Sequence, residues 1–540
     1  MRAEEVAISL TRRFPKNAEP WKVLGAVLNQ SGKFKDSLGA MRKSIEFAPT
    51  DYEAHMNLAV TLKALGRYEE AEASYRKALL INPDFAEGHY NFGVLLSVQS
   101  KYKEAESRFA KAVALRDVYP EANYNLGVML HLQGKLKEAS GCYSEAIAQQ
   151  PDYPEALLNL ANVLTDLGNF DEAERRYQTL VEVHPNFPEA HYNFGRLLYK
   201  LGRLKESEIR YIKAISLNKS LASAHSDLGN TLKDLKREVE AEASYRNAIR
   251  IDPRHSDAHF NLGLLLRQKG VLKEAINHFN LSPGHNSTSQ AMECLYIDKD
   301  YVAFEKRMKT IAQSDDRNIR LAAVSAFVSQ QTETRDLYNF CKNPLDFVFK
   351  ANLSEFIGDA NRLIEGIIEE ANRLKLSWES ATTKSGFQSS NKIFDTPDRN
   401  IARLKATLLM AIEVYYDQFK DEDNSFIKNW PVGRELIGHY NILLKNGYQD
   451  SHIHPTGWLS GVIYLKTVSS PNNNEGAVEF SLHGYDLPII RNNIPKKVHR
   501  PSRGDIVLFP SSLFHRTVPF YQDMERCVIA FDLLPDSLNV

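Results

Sequence analysis

The sequence predicts two architectures in series: an α-solenoid of stacked helix pairs, then an α+β domain in which supporting helices precede a closed set of short strands. Three observations predict this. Small residues recur every 34 positions through the first half. That phase fails after Phe279, and beyond Trp430 short β-rich runs are broken by turns. At ~150 residues per domain, 540 residues also require several units or an array.

The repeat is carried by three series in register. Gly25, Ala59, Gly93, Gly127, Ala161, Gly195, Gly229 and Gly263 form the first; Ser37, Ala71, Ala105, Ala139, Ala173, Ser207, Ala241 and Ala275 the second. The third is aromatic apart from its first member: Met41, Tyr75, Phe109, Tyr143, Tyr177, Tyr211, Tyr245 and Phe279. Small residues let two antiparallel helices approach, the large one fills the gap to the next pair, and Pro with Asp or Asn ends many of the units. Eight units from about residue 18 to 285 keep this phase without an insertion. They resemble the tetratricopeptide repeat, which implies a right-handed solenoid with a concave groove. Ala3 and Pro15 are in phase as well, so the chain opens in mid-repeat. This predicts either a truncated start or a first helix serving as a cap.

One further series does not read as core: Asn57, Asn91, Asn125, Asn159, Asn193, Asp227 and Asn261, each two residues before the small position. Asn is a mediocre helix residue. A column of amides offers a donor and an acceptor at each step, which suits an extended peptide backbone. The column resembles the asparagine ladder of the O-GlcNAc transferase superhelix, which implies that polypeptide lies along the groove. The alternative is that each Asn solvates the concave face or bonds a neighbouring turn. No sugar-nucleotide domain follows the repeats, which disfavours a glycosyltransferase.

The break NLSPGHNSTSQ ends the repeats. The expected organisation is a solenoid over 1–285, a helical cap or linker over 286–342 and a second domain over 343–540. In that domain 343–430 reads as helical support, with two amphipathic helices (LSEFIGDANRLIEGIIEEANRLK and RNIARLKATLLMAIEVYYDQFK) separated by a polar stretch, WESATTKSGFQSSNKIFD. Residues 431–540 hold the strands LIGHYNILL, WLSGVIYLKTV, GAVEFSL, DIVLFP and RCVIAFDLL, which predict a β-barrel or jelly roll.

The chemistry-bearing residues lie in the last hundred. Strand side chains alternate with period two, so an extended DSHIH places His452 and His454, with Asp450, on one face. His515 follows a hydrophobic strand, and Arg526 opens the last one. Over about residues 435–535 this order resembles the double-stranded β-helix of the Fe(II)- and 2-oxoglutarate-dependent oxygenases, prolyl hydroxylase branch included. HIHPTGWLSGVIYL, GAVEF and FPSSLFHRTVPF are similar to an oxygenase subfamily often fused to tetratricopeptide repeats. The resemblance implies Fe(II) on His452 and His515, 2-oxoglutarate as co-substrate with Arg526 gripping its far carboxylate, and Tyr464 beside it. Three protein ligands on one face leave room for a bidentate oxo acid and oxygen. In this chain His454 stands where the family has Asp. Three arrangements follow: a three-histidine site, a triad completed by Asp450 or Glu479, or a degenerate barrel. HxH is also a cupin feature.

The function expected is therefore an Fe(II)/2-oxoglutarate dioxygenase acting on a protein or peptide held by the repeats. A peptide-binding scaffold with a silent barrel and a cupin-like small-molecule oxygenase are the alternatives. A net charge of −1 argues against binding nucleic acid through bulk charge. Four dispersed cysteines, with no CxxC pair, argue against a disulfide framework and fit a reducing compartment. No apolar run nears the ~18 residues that span a bilayer, and the first residues lack the apolar core of a secretory signal. A cytoplasmic location without membrane contact is the expectation. WLSGV lacks the GxSxG elbow of a serine nucleophile.

Overall fold

The computed structural model describes residues 2–374, 376–378, 383–389, 393–468 and 474–536. Lys375 and residues 379–382 and 390–392, parts of the first amphipathic helix and the polar stretch read from the sequence, lie outside the described residues. The chain divides into two compact units, Met1–Ile251 and Asp252–Val540. No helix among the described residues is long and apolar enough to cross a membrane.

The first unit is a run of antiparallel helix pairs, such as Tyr52–Ala64 with Tyr68–Ile81 and Ala86–Val98 with Tyr102–Leu115. The 34-residue series explain the pairing. A Cβ at Gly93 would lie 2.8 Å from the Phe109 ring, and one at Gly195 2.8 Å from Tyr211, so each small residue is the floor on which the large residue of its own unit rests. Ser37 and Ser207, in the second series, donate to the carbonyls of Gly25 and Gly195 at 2.8 Å. Where a histidine stands two residues before the Asn column, it ties its helix to the preceding turn. His55, His89 and His191 each place Nε2 about 3 Å from the carbonyl of the proline six residues earlier.

The second unit opens with further helices, Ser256–Gln268 through Ile319–Thr332, then forms an antiparallel sheet. Its strands are β1 (Phe349–Asn352), β2 (Leu376–Trp378), β3 (Thr383–Ser389), β4 (Leu436–His452), β5 (Leu459–Lys466), β6 (Val478–Ser481), β7 (Lys496–His499), β8 (Asp505–Pro510), β9 (Phe514–Thr517) and β10 (Arg526–Leu533). The order is β1-β8-β5-β10-β4-β9-β6-β7, with β3 on β4 and β2 on β3. Long β4 makes the sheet curl: its first half pairs with β10, its stretch from Asn441 to Gln449 with β3, and its end with β9 after a register shift between Gln449 and His452.

Alternation divides the sheet into two faces. Cys527, Ile529, Phe531 and Leu533 of β10 join Leu459, Ile463 and Leu465 of β5 in the large core shared with Leu404, Leu408 and Ile412 of helix Arg399–Phe419. Tyr464, Val478, Phe480, Phe509 and Val528 form a smaller core on the inner face. The helices are also fastened to the sheet by polar contacts. Gln331 accepts from the backbone N–H groups of Ile490 (2.7 Å) and Arg491 (2.9 Å) and donates to the Arg491 carbonyl, while Tyr296 donates to Pro488 O at 2.7 Å.

Two details differ from the sequence reading. Thr383–Ser389, inside the stretch read as a polar separator, is a strand, and its Gln388 faces a cavity rather than a core. The first of the two amphipathic helices is shorter than its pattern. Asn352 and Glu355 cap a single 3-10 turn, and the helix proper runs Ala360–Ala371 after Gly358.

Candidate metal centre

The end of β4 and the start of β9 meet so that His452 and His515 are directly opposed across the two strands. His454 lies just beyond β4, its ring centroid 5.2 Å from that of His452 and 5.0 Å from that of His515. One nitrogen from each ring lies within 4.8 Å of the other two, and the Nε2 atoms of His452 and His454 are 3.3 Å apart.

The proton inventory decides what this cluster suits. Each Nδ1 faces an oxygen: the Asp450 carbonyl at 2.6 Å, the Leu513 carbonyl at 3.2 Å, and for His454 the Asp532 carboxylate at 2.7 and 2.8 Å. An acceptor at Nδ1 fixes the proton there and leaves Nε2 a bare lone pair. Burial, then the charge of neighbouring His454, pushes His452 down to about 4. Burial and the other two imidazoles hold His515 well below the usual histidine range. Burial opposes charge on His454 too, but Asp532 outweighs it and raises this one above its ordinary value. Three converging lone pairs with their outer nitrogens anchored are the donor set of a divalent metal.

The carboxylates weighed from the sequence stand elsewhere. Asp450 meets His452 through its backbone carbonyl. Glu479 is opposite Arg516 and Phe480 is opposite His515, so alternation turns Glu479 to the other face, where it pairs with Arg516 (2.9 Å) and Lys496 (3.2 Å). Asp532 is the acid the sequence reading missed. It also accepts from Ser460 at 2.6 Å, and burial, which would raise it, is overcome by His454, so it stays ionised. The signal was present: Arg526, Val528, Ala530 and Asp532 alternate onto one face of β10, and all four line the same cavity of about 210 Å³.

Arg526 and Tyr464 line that cavity with the three histidines. Arg526 is 2% exposed, its Nε donates to Gly476 O at 3.3 Å, and its guanidinium lies 5.1 Å from the Tyr464 ring centroid. Arg526 Nη1 and Tyr464 Oη are buried with no hydrogen-bond partner, and among the described residues no carboxylate pairs with Arg526. Burial pushes the Tyr464 hydroxyl up to about 12, so it remains a donor. A buried cation with open donors is costly unless an anion answers it. Such a cradle fits the distal carboxylate of an oxo acid. His439 lies across from Ala530 and lines the same cavity. Burial, then His454, brings it down to about 4.

In the first unit the column residues Asn57, Asn91, Asn125, Asn159, Asn193 and Asp227 are half-buried; Asn261 belongs to the second unit and is half-buried there. Several bond within the stack. Asn125 donates to Tyr90 Oη (3.2 Å) and Glu121 O (2.9 Å), Asn159 to Tyr124 Oη (3.2 Å), Asn193 to Glu189 O (3.1 Å), and Tyr192 donates to Asp227 (3.0 Å). Part of the column is thus answered within the stack. Asn193 and Asp227 also line a cavity of about 460 Å³ together with Asn162, Arg196, Tyr199 and Lys200.

Residues 439–532 match the family model described as "Putative 2OG-Fe(II) oxygenase". Tetratricopeptide repeat models match 52–85, 90–154, 130–192, 188–221 and 227–284. No curated protein matches the chain. Among solved structures, the chain is similar to YrrB, titled a TPR protein with an unusual peptide-binding site, at 26% identity and a TM-score of 0.30 over 34% of this chain and 95% of that one. It is also similar to the APC/C hetero-tetramer Cut9-Hcn1 (17%, 0.38, 54% and 59%) and to MamA (24%, 0.27, 29% and 92%). The chain is a tetratricopeptide repeat array joined to a C-terminal domain of that oxygenase family.

Proposed function

We propose that this chain is an Fe(II)- and 2-oxoglutarate-dependent dioxygenase that hydroxylates a polypeptide held by its repeats. The observation that carries the reading is Arg526: a buried guanidinium without an acidic partner, sharing one cavity with three converging imidazoles. When bound, iron and 2-oxoglutarate supply the insertion of one atom of O₂ into a C–H bond while the oxo acid loses CO₂. The chain's own residues do the rest. His452, His454 and His515 present lone pairs to the metal, and their carbonyl and carboxylate partners fix each ring. Asp532 returns, through His454, the negative charge that a ligating Asp would supply. Arg526 takes the far carboxylate as a planar fork, with Tyr464 Oη as an additional donor. Val478, Phe509 and Val528 keep water from the cavity wall.

The polypeptide reading rests on the repeats. Asn125 spends both amide hydrogens inside the stack, so its carbonyl oxygen is the group it offers a bound backbone. The polar cavity at Asn193 and Asp227 is where such a chain would be gripped.

Anaerobic Fe(II) titration of the full chain, with and without 2-oxoglutarate, tests the reading through the visible charge-transfer band of a chelated oxo acid. The band is expected in the wild type and absent in His515→Ala and Arg526→Ala. Failure to bind metal would leave a peptide-binding scaffold. Turnover of a small molecule that survives Arg526→Ala would favour the cupin-like alternative.

A further inference from the structure

We infer that the group oxidised in this cavity is an uncharged carboxamide side chain, an asparagine or glutamine of the bound polypeptide. The inference rests on the oxygenase reading and goes on to name its acceptor. Among the described residues lining the cavity, Arg526 and Asp532 carry the fixed charges. Asp532 is engaged by His454 and Ser460, and Arg526 is the seat of the co-substrate's carboxylate. A lysine, arginine, aspartate or glutamate entering to react would bury a charge with nothing to answer it, a cost of several kcal/mol per ion.

What the remaining wall offers is amide chemistry. Gln388 from β3 and Gln449 from β4 line the cavity, joined through one threonine. Thr383 Oγ1 donates to Gln388 Oε1 at 3.4 Å and accepts from Gln449 Nε2 at 3.3 Å. In this arrangement Gln388 has its NH₂ left for a guest and Gln449 its carbonyl oxygen. A carboxamide carries the complementary pair, one acceptor and one donor, on a single planar group. A site built of such groups rejects guests that leave them unpaired more strongly than an apolar pocket rejects a misfit.

The test uses the full chain with Fe(II) and 2-oxoglutarate and a set of blocked, extended peptides differing at one central residue: Asn, Gln, Asp, Lys or Pro. Two quantities are read, the shift of the anaerobic charge-transfer band on peptide addition and, with O₂, succinate release and oxygen added to the peptide. The Asn and Gln peptides are expected to bind and be oxidised at least about tenfold better than the others. Gln388→Leu and Gln449→Leu should lose that preference, the band reporting that the iron site still assembles. Gln449→Glu should bring in the Lys peptide. A band that forms while Lys, Asp or Pro peptides do as well, or while none of the set perturbs it, overturns the inference and leaves the oxygenase reading standing. Absence of the band overturns both.

Discussion

A single carboxylate, Asp532, sets the electrostatics of the three-histidine cluster. It holds His454 above the ordinary histidine range while His452 and His515 fall below it. Asp532→Asn keeps the shape and removes the charge, and Fe(II) affinity is expected to fall roughly 10–100-fold in equilibrium titration. Arg526→Lys keeps the charge but loses the fork. It should raise the dissociation constant for 2-oxoglutarate by about tenfold or more and leave Fe(II) affinity alone in the same titration. The three histidines, Arg526 and Tyr464 could be found in the sequence because two of the histidines are neighbours and the others flank hydrophobic strands. Asp532 was passed over because its partner is 78 residues away and it reads as the ordinary polar end of a strand, although alternation from Arg526 puts it on the same face. Gln388 was hidden for a different reason: a strand facing a polar cavity lacks the apolar alternation by which strands are recognised.

Among the elements, β5 and β10 show how closely the sheet is packed behind the site. Gly461 is opposite Phe531, and a Cβ there would lie 2.3 Å from that ring and 2.7 Å from Leu508. Gly461→Val is therefore expected to lower stability by roughly 1–3 kcal/mol, seen as a lower melting temperature. The pairing of helices in the repeats was legible because close approach demands a small residue at one position and a large one at another. The short 3-10 turn before Ala360–Ala371 was not, since its capping residues interrupt an apolar pattern that reads as continuous.

For the molecule as a whole, the repeated histidines couple stability to pH. Burial lowers His89, His191 and His225, so each folds in its neutral form and takes up a proton more readily when unfolded. A depressed folded value means stability that is full above the unfolded value, about 6.5, and is lost as pH falls from there through the folded values. Thermal melts between about pH 7 and 5 should show that loss, and the pair His89→Asn with His191→Asn should reduce it. Asn is the test residue because Asn123 already occupies the same repeat position, donating to Tyr119 O.

The clasp of Gln331 and Tyr296 on residues 488–491 bears on how such a protein is inherited. The strands cannot travel between genes alone, because Phe327, Val328 and Met292 share one core with Leu459, Ile529 and Phe531. A recombination event that moved only the metal-ligating segment would strand that apolar surface in water. The segment that can be shuffled therefore carries its own helices, and the division of the chain into two compact units, Met1–Ile251 and Asp252–Val540, keeps all of them on the side of the strands.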